Sequence, residues 1–267
     1  MRAGYMPWSH TEECELGGCS IYADLGSGNL MCRVPGMYYN SCEGWRMEAA
    51  QEARKAGDAV IWKDGTGAEH IFRRGRDADG AGFMCGETDD GIKIWDADGG
   101  ALVFSADGRI CEARLADGKK LEYLYTCGRL TAVAGCGMRR VFAYKDGRPA
   151  ILAGDGVVFY EHSGQALAAV RFGDGAPGVV FGYKNGFLTS AVCVNERIDI
   201  EYDEVGRAIK INGAEYEYSE GHTTVRDGEK WTYTFDKAGR CTKAENGDRA
   251  WKIDGYAPGK IRDIIGI

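Results

Sequence analysis

The sequence lacks most of the features by which catalytic and nucleic-acid-binding proteins are recognised. Only 5 of its 267 residues are proline and only 4 are histidine. With 33 basic against 40 acidic residues, it has no basic excess of the kind that a nucleic-acid partner requires. No run approaches the roughly 18 apolar residues of a membrane span, and residues 1–8 have no apolar core of signal-peptide length. These absences predict no nucleic-acid partner and no membrane insertion, and they leave the localisation open.

Close cysteine pairs are also scarce, although the chain has 10 cysteines. No Cys-x-x-Cys spacing occurs and the histidines are dispersed, so the sequence predicts no metal site and no cofactor. Cys111, Cys193 and Cys241 fall within alternating segments, where reduced, half-buried thiols are expected. Cys14 and Cys19 form the one close pair that merits a test for a disulfide.

Glycine, by contrast, is abundant, with 40 residues against a usual share of roughly 7%. Abundant glycine with little proline favours tight turns between regular strands over a disordered chain. The stretch 198–213 shows this pattern clearly. Ile198, Ile200 and Tyr202 alternate with acidic residues, a turn is closed by Gly206, and alternation then resumes. This stretch predicts a β-hairpin.

The hairpin pattern recurs along the chain as an aromatic residue followed three or four residues later by a glycine. The pairs are Phe104/Gly108, Tyr125/Gly128, Tyr144/Gly147, Tyr160/Gly164, Tyr183/Gly186, Tyr202/Gly206, Tyr218/Gly221 and Phe235/Gly239. A lone hairpin is not stable in water, so each is expected to pair with its neighbours. The predicted fold class is all-β, with consecutive antiparallel β-hairpins forming a continuous coiled sheet, either an open shell or a partial barrel.

Residues 45–57 carry conflicting signals. Their Ala, Glu, Gln, Arg and Lys content favours a helix by intrinsic propensity. However, Trp45 and Met47 alternate with charged residues, and no N-cap residue stands where a helix would begin. Because sheet context commonly overrides weak propensity, we predict a strand here.

The turns resemble the repeat unit of the RHS-repeat, or YD-repeat, family, which runs Tyr-Asp-x-x-Gly-Arg-Leu. Tyr202-Asp-Glu-Val-Gly-Arg-Ala and Phe235-Asp-Lys-Ala-Gly-Arg-Cys are similar to it, and residues 24–30 and 64–72 look like the block before the first repeats in wall-associated members. The resemblance spans about residues 20–245. The repeat-signature residues that it implies are Tyr125, Gly128, Arg129, Tyr144, Gly147, Arg148, Tyr202, Asp203, Gly206, Arg207, Phe235, Asp236, Gly239 and Arg240.

The resemblance implies a non-enzymatic β-sheet scaffold, because in this family the repeats form a shell around a polymorphic C-terminal toxin. It implies an N-terminal extension or plug (1–20), an RHS N-terminal-type β segment (21–82), a repeat sheet (83–250) and a C-terminal tail (251–267). The chain has far fewer repeats than a closed shell needs, and no Asp-Pro-Gly-Leu-type self-cleavage motif. Encapsulation and autoproteolysis are therefore not expected. A cell-surface or secreted location follows from the resemblance, and a cytoplasmic one if the chain stands alone.

Two other functions remain open. A surface carbohydrate- or protein-binding module is the first, with Trp62, Trp95 and Trp231 as stacking residues. An enzyme of unknown type is the second, but the acidic residues stand in turns beside glycine, and adjacent His162 and Ser163 would point to opposite faces of a strand. No catalytic residue is predicted.

Partners follow from the same interpretations. A toxin domain, neighbouring repeat segments or a surface glycan are the expected ones. An open sheet also exposes its first and last strands, and exposed edges recruit other strands. We therefore expect the chain either to cover these edges with its own termini or to self-associate through them.

Overall fold

Antiparallel strands make up nearly all of the regular structure. The computed structural model describes residues 13–78, 80–237, 239–252 and 259–265. Its hairpins follow one another in a long antiparallel sheet that is not closed into a barrel, which confirms the predicted fold class. The chain forms two compact units, Met1–Trp45 with Tyr160–Tyr256 (the first unit) and Arg46–Phe159 with Ala257–Ile267 (the second unit). Each unit therefore combines stretches that are distant in sequence.

The strands are short, and almost all are joined by tight turns. In chain order the elements are β1 (Cys14–Leu16), β2 (Cys19–Ala23), β3 (Leu30–Val34), β4 (Met37–Asn40), β5 (Gly44–Met47), β6 (Glu52–Ala56), β7 (Ala59–Lys63), β8 (Glu69–Arg73), β9 (Arg76–Asp77), β10 (Met84–Thr88), β11 (Gly91–Trp95), β12 (Ala101–Ser105), β13 (Ile110–Arg114), β14 (Lys120–Thr126), β15 (Arg129–Gly135), β16 (Met138–Lys145), β17 (Arg148–Ala153), β18 (Val157–Ser163), β19 (Ala166–Phe172), β20 (Val179–Lys184), β21 (Phe187–Cys193), β22 (Glu196–Tyr202), β23 (Ala208–Ile211), β24 (Ala214–Ser219), β25 (His222–Asp227), β26 (Glu229–Phe235), β27 (Cys241–Asn246), β28 (Arg249–Lys252) and α1 (Ile261–Ile264).

The amino-terminal strands form a separate five-stranded antiparallel meander, in the order β1 to β5. Residues 14–16 and 19–20 belong to it, although the sequence of residues 1–20 shows no strand pattern. In β2 the side chains of Cys19, Ile21 and Ala23 are buried, and so is that of Tyr22 on the opposite face. A strand that is buried on both faces does not alternate between apolar and polar residues, which explains why the pattern was absent. Residues 1–12 of the predicted extension lie outside the described residues.

The meander packs within the first unit against strands β21, β22, β23 and β25. The Tyr39 hydroxyl accepts a hydrogen bond from the Leu188 backbone N–H (3.1 Å), and the Thr223 hydroxyl donates to the Leu25 carbonyl (2.5 Å). The buried side chains of β2, β3 and β4 supply apolar surface to the same core. The interior of the first unit is therefore occupied by the chain's own residues 13–45.

The second unit contains the segment with conflicting signals, and it is extended. β5 and β6 cover most of residues 45–57, so the strand prediction is confirmed. Met47 and Ala53 are buried whereas Arg54 and Lys55 are exposed. The Ala53 N–H also donates to the Gly108 carbonyl (2.9 Å), which places β6 beside the start of β13. Burial and this bond outweigh the helix propensity of the segment.

The cysteines are all free thiols. Cys14 pairs across the β1–β2 ladder with Ile21, and Cys19 pairs with Leu16, so these two cysteines are not brought together. Instead, the Sγ atoms of Cys19 and Cys32 lie 3.2 Å apart in the core, on the neighbouring strands β2 and β3. The sequence therefore identified the wrong cysteine pair, because spacing along the chain says nothing about which strands become neighbours.

Candidate functional site

Two different backbone geometries underlie the repeated glycine turns. In the first, two residues join the strands and both have positive φ, as in the type I′ turn. Gly128, Gly147 and Gly186 have φ of 76°, 81° and 85°, and each follows a residue with φ near 50°. The repeated glycines were expected in the turns of the hairpins, and these three lie there, with positive φ.

The second geometry is a longer turn that runs from an aspartate to the residue four positions later. The Asp203 N–H donates to the Arg207 carbonyl (3.0 Å), and the Gly206 N–H donates to the Asp203 carbonyl (3.1 Å). Gly206 has φ of 86°. The sequence treated both geometries as one repeat, because both place a glycine after an aromatic strand end.

The Asp203 carboxylate closes its turn with both oxygens. Oδ1 accepts the backbone N–H groups of Val205 (3.1 Å) and Arg207 (2.8 Å), and Oδ2 accepts Nε of Arg207 (2.7 Å). Partial burial raises the pKa of Asp203, but the hydrogen bonds and charge from Arg207 outweigh it and hold the pKa below its ordinary value. Asp236 makes the same bonds to the backbone N–H (3.0 Å) and Nε (2.8 Å) of Arg240.

Four of the repeated tyrosines connect their hairpin to the one before it, whereas the Tyr160 hydroxyl donates to the Pro35 carbonyl. Their hydroxyl groups donate to backbone carbonyls of the preceding repeat: Tyr144 to Leu130 (2.6 Å), Tyr183 to Leu167 (2.7 Å), Tyr202 to Leu188 (2.7 Å) and Tyr218 to Ala208 (2.7 Å). Burial raises the pKa of all four tyrosines above the ordinary value, so they remain neutral donors. The four contacts share one geometry, because each bond joins a tyrosine hydroxyl to a backbone carbonyl of the preceding repeat.

Several arginines of the repeats extend in the opposite direction, onto the tyrosine of the following repeat. The guanidinium carbon lies over the ring at 5.7 Å for Arg109 on Tyr125, 5.8 Å for Arg129 on Tyr144 and 5.0 Å for Arg207 on Tyr218. These are cation–π distances. The sequence did not indicate this contact, because the tyrosine belongs to the next hairpin.

The other signature residues lie at equivalent strand ends. Arg148 is opposite Lys145 across its hairpin. Phe235 follows a register shift in β26, and its N–H donates to the Gly221 carbonyl (2.8 Å). Gly239 has φ of 77°. The signature residues therefore lie at the ends of successive strands of the sheet.

The three candidate stacking tryptophans occupy different environments. Trp62 is 0% exposed and stacks on His70 in the core of the second unit, so it offers no ring face to a glycan and the prediction for this residue is wrong. Trp95 covers Gly86, where a Cβ would lie 3.2 Å from the ring. Trp231 stacks on Trp251 (ring centroids 5.0 Å apart), which is 49% exposed. The tryptophans therefore do not form one platform.

A buried polar pair lies beside Trp62. Asp64 holds a turn of the second geometry, in which Oδ1 accepts the N–H groups of Thr66 (2.8 Å) and Ala68 (3.0 Å). Its Oδ2 lies 3.2 Å from Nε2 of His70, and both side chains are 1% exposed. The sequence identified Asp64 as a turn residue but missed its partner. The one available signal was that His70 alternates in phase with Phe72, which is buried.

Among the described residues, no three His, Cys, Asp or Glu side chains converge in a way that could hold a metal ion. Across the same parts of the chain, no helix has the length and apolar character needed to span a membrane. His162 and Ser163 are consecutive at the end of β18.

The comparisons with known proteins give similarity in solved structures only. No protein-family model and no curated protein sequence matches the chain. A Tc holotoxin pore of Photorhabdus luminescens is 15% identical over 85% of this chain and 14% of its own, with a TM-score of 0.33. The TcdB2–TccC3 structure is 11% identical over 88% of this chain and 17% of its own, with a TM-score of 0.35. At these TM-scores the matches assign neither a family nor a function.

Proposed function

We propose that the protein is a non-enzymatic structural scaffold of the RHS/YD-repeat type, a short shell segment built from self-joining hairpins. The bonds from each tyrosine to the preceding repeat carry this proposal. They occur in both units, at Tyr144 in the second and at Tyr183, Tyr202 and Tyr218 in the first. Their acceptors are backbone carbonyls, so each of these four hairpins is joined to its neighbour whatever the outward side chains are.

The scaffold holds its own amino-terminal meander in the first unit. The meander packs closely on β21, because a Cβ at Gly17 would lie 2.6 Å from Sγ of Cys193. A shell that encloses a toxin needs an empty interior, and this one is filled. A toxin domain or a further repeat segment would therefore attach at an edge of the sheet, where the described residues of β28 are all exposed.

Limited proteolysis tests the scaffold directly. The chain has 33 lysine and arginine residues, many of them exposed in hairpins. A rigid scaffold predicts that trypsin leaves residues 13–252 intact long after an unfolded control is digested, and that Tyr202→Phe shortens this resistance. Rapid cleavage within the hairpins of the native protein would overturn the proposal.

A carbohydrate- or protein-binding module is the second candidate, and the Trp231–Trp251 stack favours it. Two stacked indoles at a partly exposed sheet end provide the kind of apolar surface on which sugars and aromatic side chains stack. Screening the full chain on a glycan array separates the two functions. The scaffold predicts no saturable binding, whereas binding that is lost in Trp231→Ala would establish the binding module.

A further inference from the structure

The turn between β11 and β12 has the second geometry but, like the Asp64 turn, lacks the arginine that closes the Asp203 and Asp236 turns. In the turn between β11 and β12, the Asp96 N–H donates to the Gly100 carbonyl (3.0 Å), as Asp203 does to Arg207. Asp96 Oδ1 accepts the N–H groups of Asp98 (3.0 Å) and Gly100 (2.8 Å). The fifth position, arginine in the Asp203 turn, is glycine here, so no guanidinium of the turn reaches Oδ2.

The carboxy-terminal segment supplies the missing partner. The Ile261 N–H donates to Oδ2 of Asp96 (2.8 Å), although the two residues are 165 positions apart. The Ile261 side chain is fully buried. Gly259 N–H donates to the Ala81 carbonyl (2.8 Å), and Nζ of Lys260 lies 2.9 Å from Asp98 Oδ2. Three consecutive residues of the segment therefore each make a distinct contact.

Gly100 is required for this arrangement. A Cβ at this position would lie 2.6 Å from Asp96 Oδ2 and 3.1 Å from Cβ of Ile261. Any side chain would therefore press on the carboxylate oxygen and on the isoleucine that it holds. The turn thus contacts three groups of the segment: the Ile261 N–H, the Lys260 ammonium and the branched side chain of Ile261.

We propose that the Asp96–Gly100 turn, with Ala81 beside it, is a peptide-recognition site for a Gly-Lys-Ile segment. The chain's own residues Gly259–Ile265 occupy the site in this structure, and the same segment of a second copy fits it. The recognition elements are one carboxylate oxygen, one backbone carbonyl, one acidic side chain for the lysine and one apolar recess. All of these elements contact Gly259, Lys260 and Ile261, so a short peptide that contains these residues can make the same contacts without the rest of the chain.

A labelled peptide of residues 257–267 tests the proposal on the full chain. Its binding to the wild type is compared by fluorescence anisotropy with its binding to Ile261→Ser, whose resident segment no longer fills the recess. We expect saturable binding to the variant and at least tenfold weaker binding to the wild type, in which the resident segment competes. A folded Ile261→Ser protein that binds no peptide would overturn the proposal.

Two further variants keep the experiment specific. In the Ile261→Ser background, Gly100→Ala is expected to abolish peptide binding, whereas Gly156→Ala, where a Cβ meets nothing within 4 Å, is the matched control. Asp98→Lys is expected to weaken binding of the native peptide and to restore binding of a peptide carrying Lys260→Asp. If Ile261→Ser does not fold, Lys260→Asp replaces it in the same titration. Equal binding to the Gly100→Ala and Gly156→Ala proteins would contradict a site at this turn.

Discussion

The Asp203 and Asp96 turns share one backbone and differ in the partner of a single carboxylate oxygen. In the Asp203 turn, Oδ2 binds Nε of Arg207 from the same turn. In the Asp96 turn the corresponding residue is Gly100, and Oδ2 binds the Ile261 N–H. Asp64 is a third case, with Ala68 at the fifth position and His70 as the partner. The residue at the fifth position thus decides whether the turn is self-contained or anchors another part of the chain.

The largest expected effect separates the buried anchor from the self-contained turn. Asp64→Ala removes the turn bonds and leaves His70 without this hydrogen-bond partner in the core, so we expect a loss of about 2–4 kcal/mol in the free energy of unfolding. Asp203→Ala, at a partly exposed turn, is expected to cost about 1 kcal/mol. Urea unfolding of both variants measures the difference. Equal losses would show that the partner of the second oxygen does not matter.

A substitution at the glycine tests the backbone conformation that these turns share. Gly206→Val forces a β-branched residue to φ of 86° and brings its Cβ to 3.0 Å from the Phe187 ring. We expect a loss of about 1–3 kcal/mol, seen as a lower melting temperature. Gly156→Ala is the control because it has neither feature. An unchanged melting temperature for Gly206→Val would remove the steric requirement from this turn.

A stabilising substitution is expected at Val194, where the chain already has a β-branched residue with positive φ. Val194 is a β-branched residue with φ of 52° in the turn between β21 and β22, and it is 70% exposed. Val194→Asn places a residue that tolerates this conformation at a site with little packing to lose. We expect a gain of about 0.5–1 kcal/mol in urea unfolding, by analogy with conformation-matched glycine and proline changes. Destabilisation would show that the valine side chain packs in a way that its exposure conceals.

Protonation of Asp203 at low pH is expected to change the free energy of unfolding least. Because the pKa of Asp203 is lowered in the folded protein, its contribution to stability is present above its unfolded pKa of about 3.9 and is lost as the pH falls through the folded value. Asp203→Asn should therefore flatten the decline of stability below about pH 4. The check is urea unfolding at pH 3 and pH 6. An unchanged pH dependence would show that Arg207 does not stabilise the carboxylate.

The sequence predicted elements that rest on local pattern. Alternation located β22 and β23, and the glycines marked their turn because only a few residues tolerate positive φ. It missed β1, because a strand of 3 residues is too short for an alternating pattern to be recognised. The sequence also did not indicate contacts between residues that are distant in the chain. Nothing near Asp96 indicates a partner 165 residues away. Similarly, composition does not distinguish buried Trp62 from half-exposed Trp251.

The reactivity of the cysteines shows whether residues 13–45 fill the interior of the first unit. Cys19 and Cys32 lie in the meander and Cys193 on the strand that faces it, all buried, whereas Cys127 is exposed in a turn. Burial also raises the pKa of Cys32, which lowers its reactivity further. In native iodoacetamide labelling followed by mass spectrometry, we predict that Cys127 is modified rapidly and that the three buried thiols react only after unfolding. Modification of Cys19, Cys32 and Cys193 at the rate of Cys127 would contradict a filled interior.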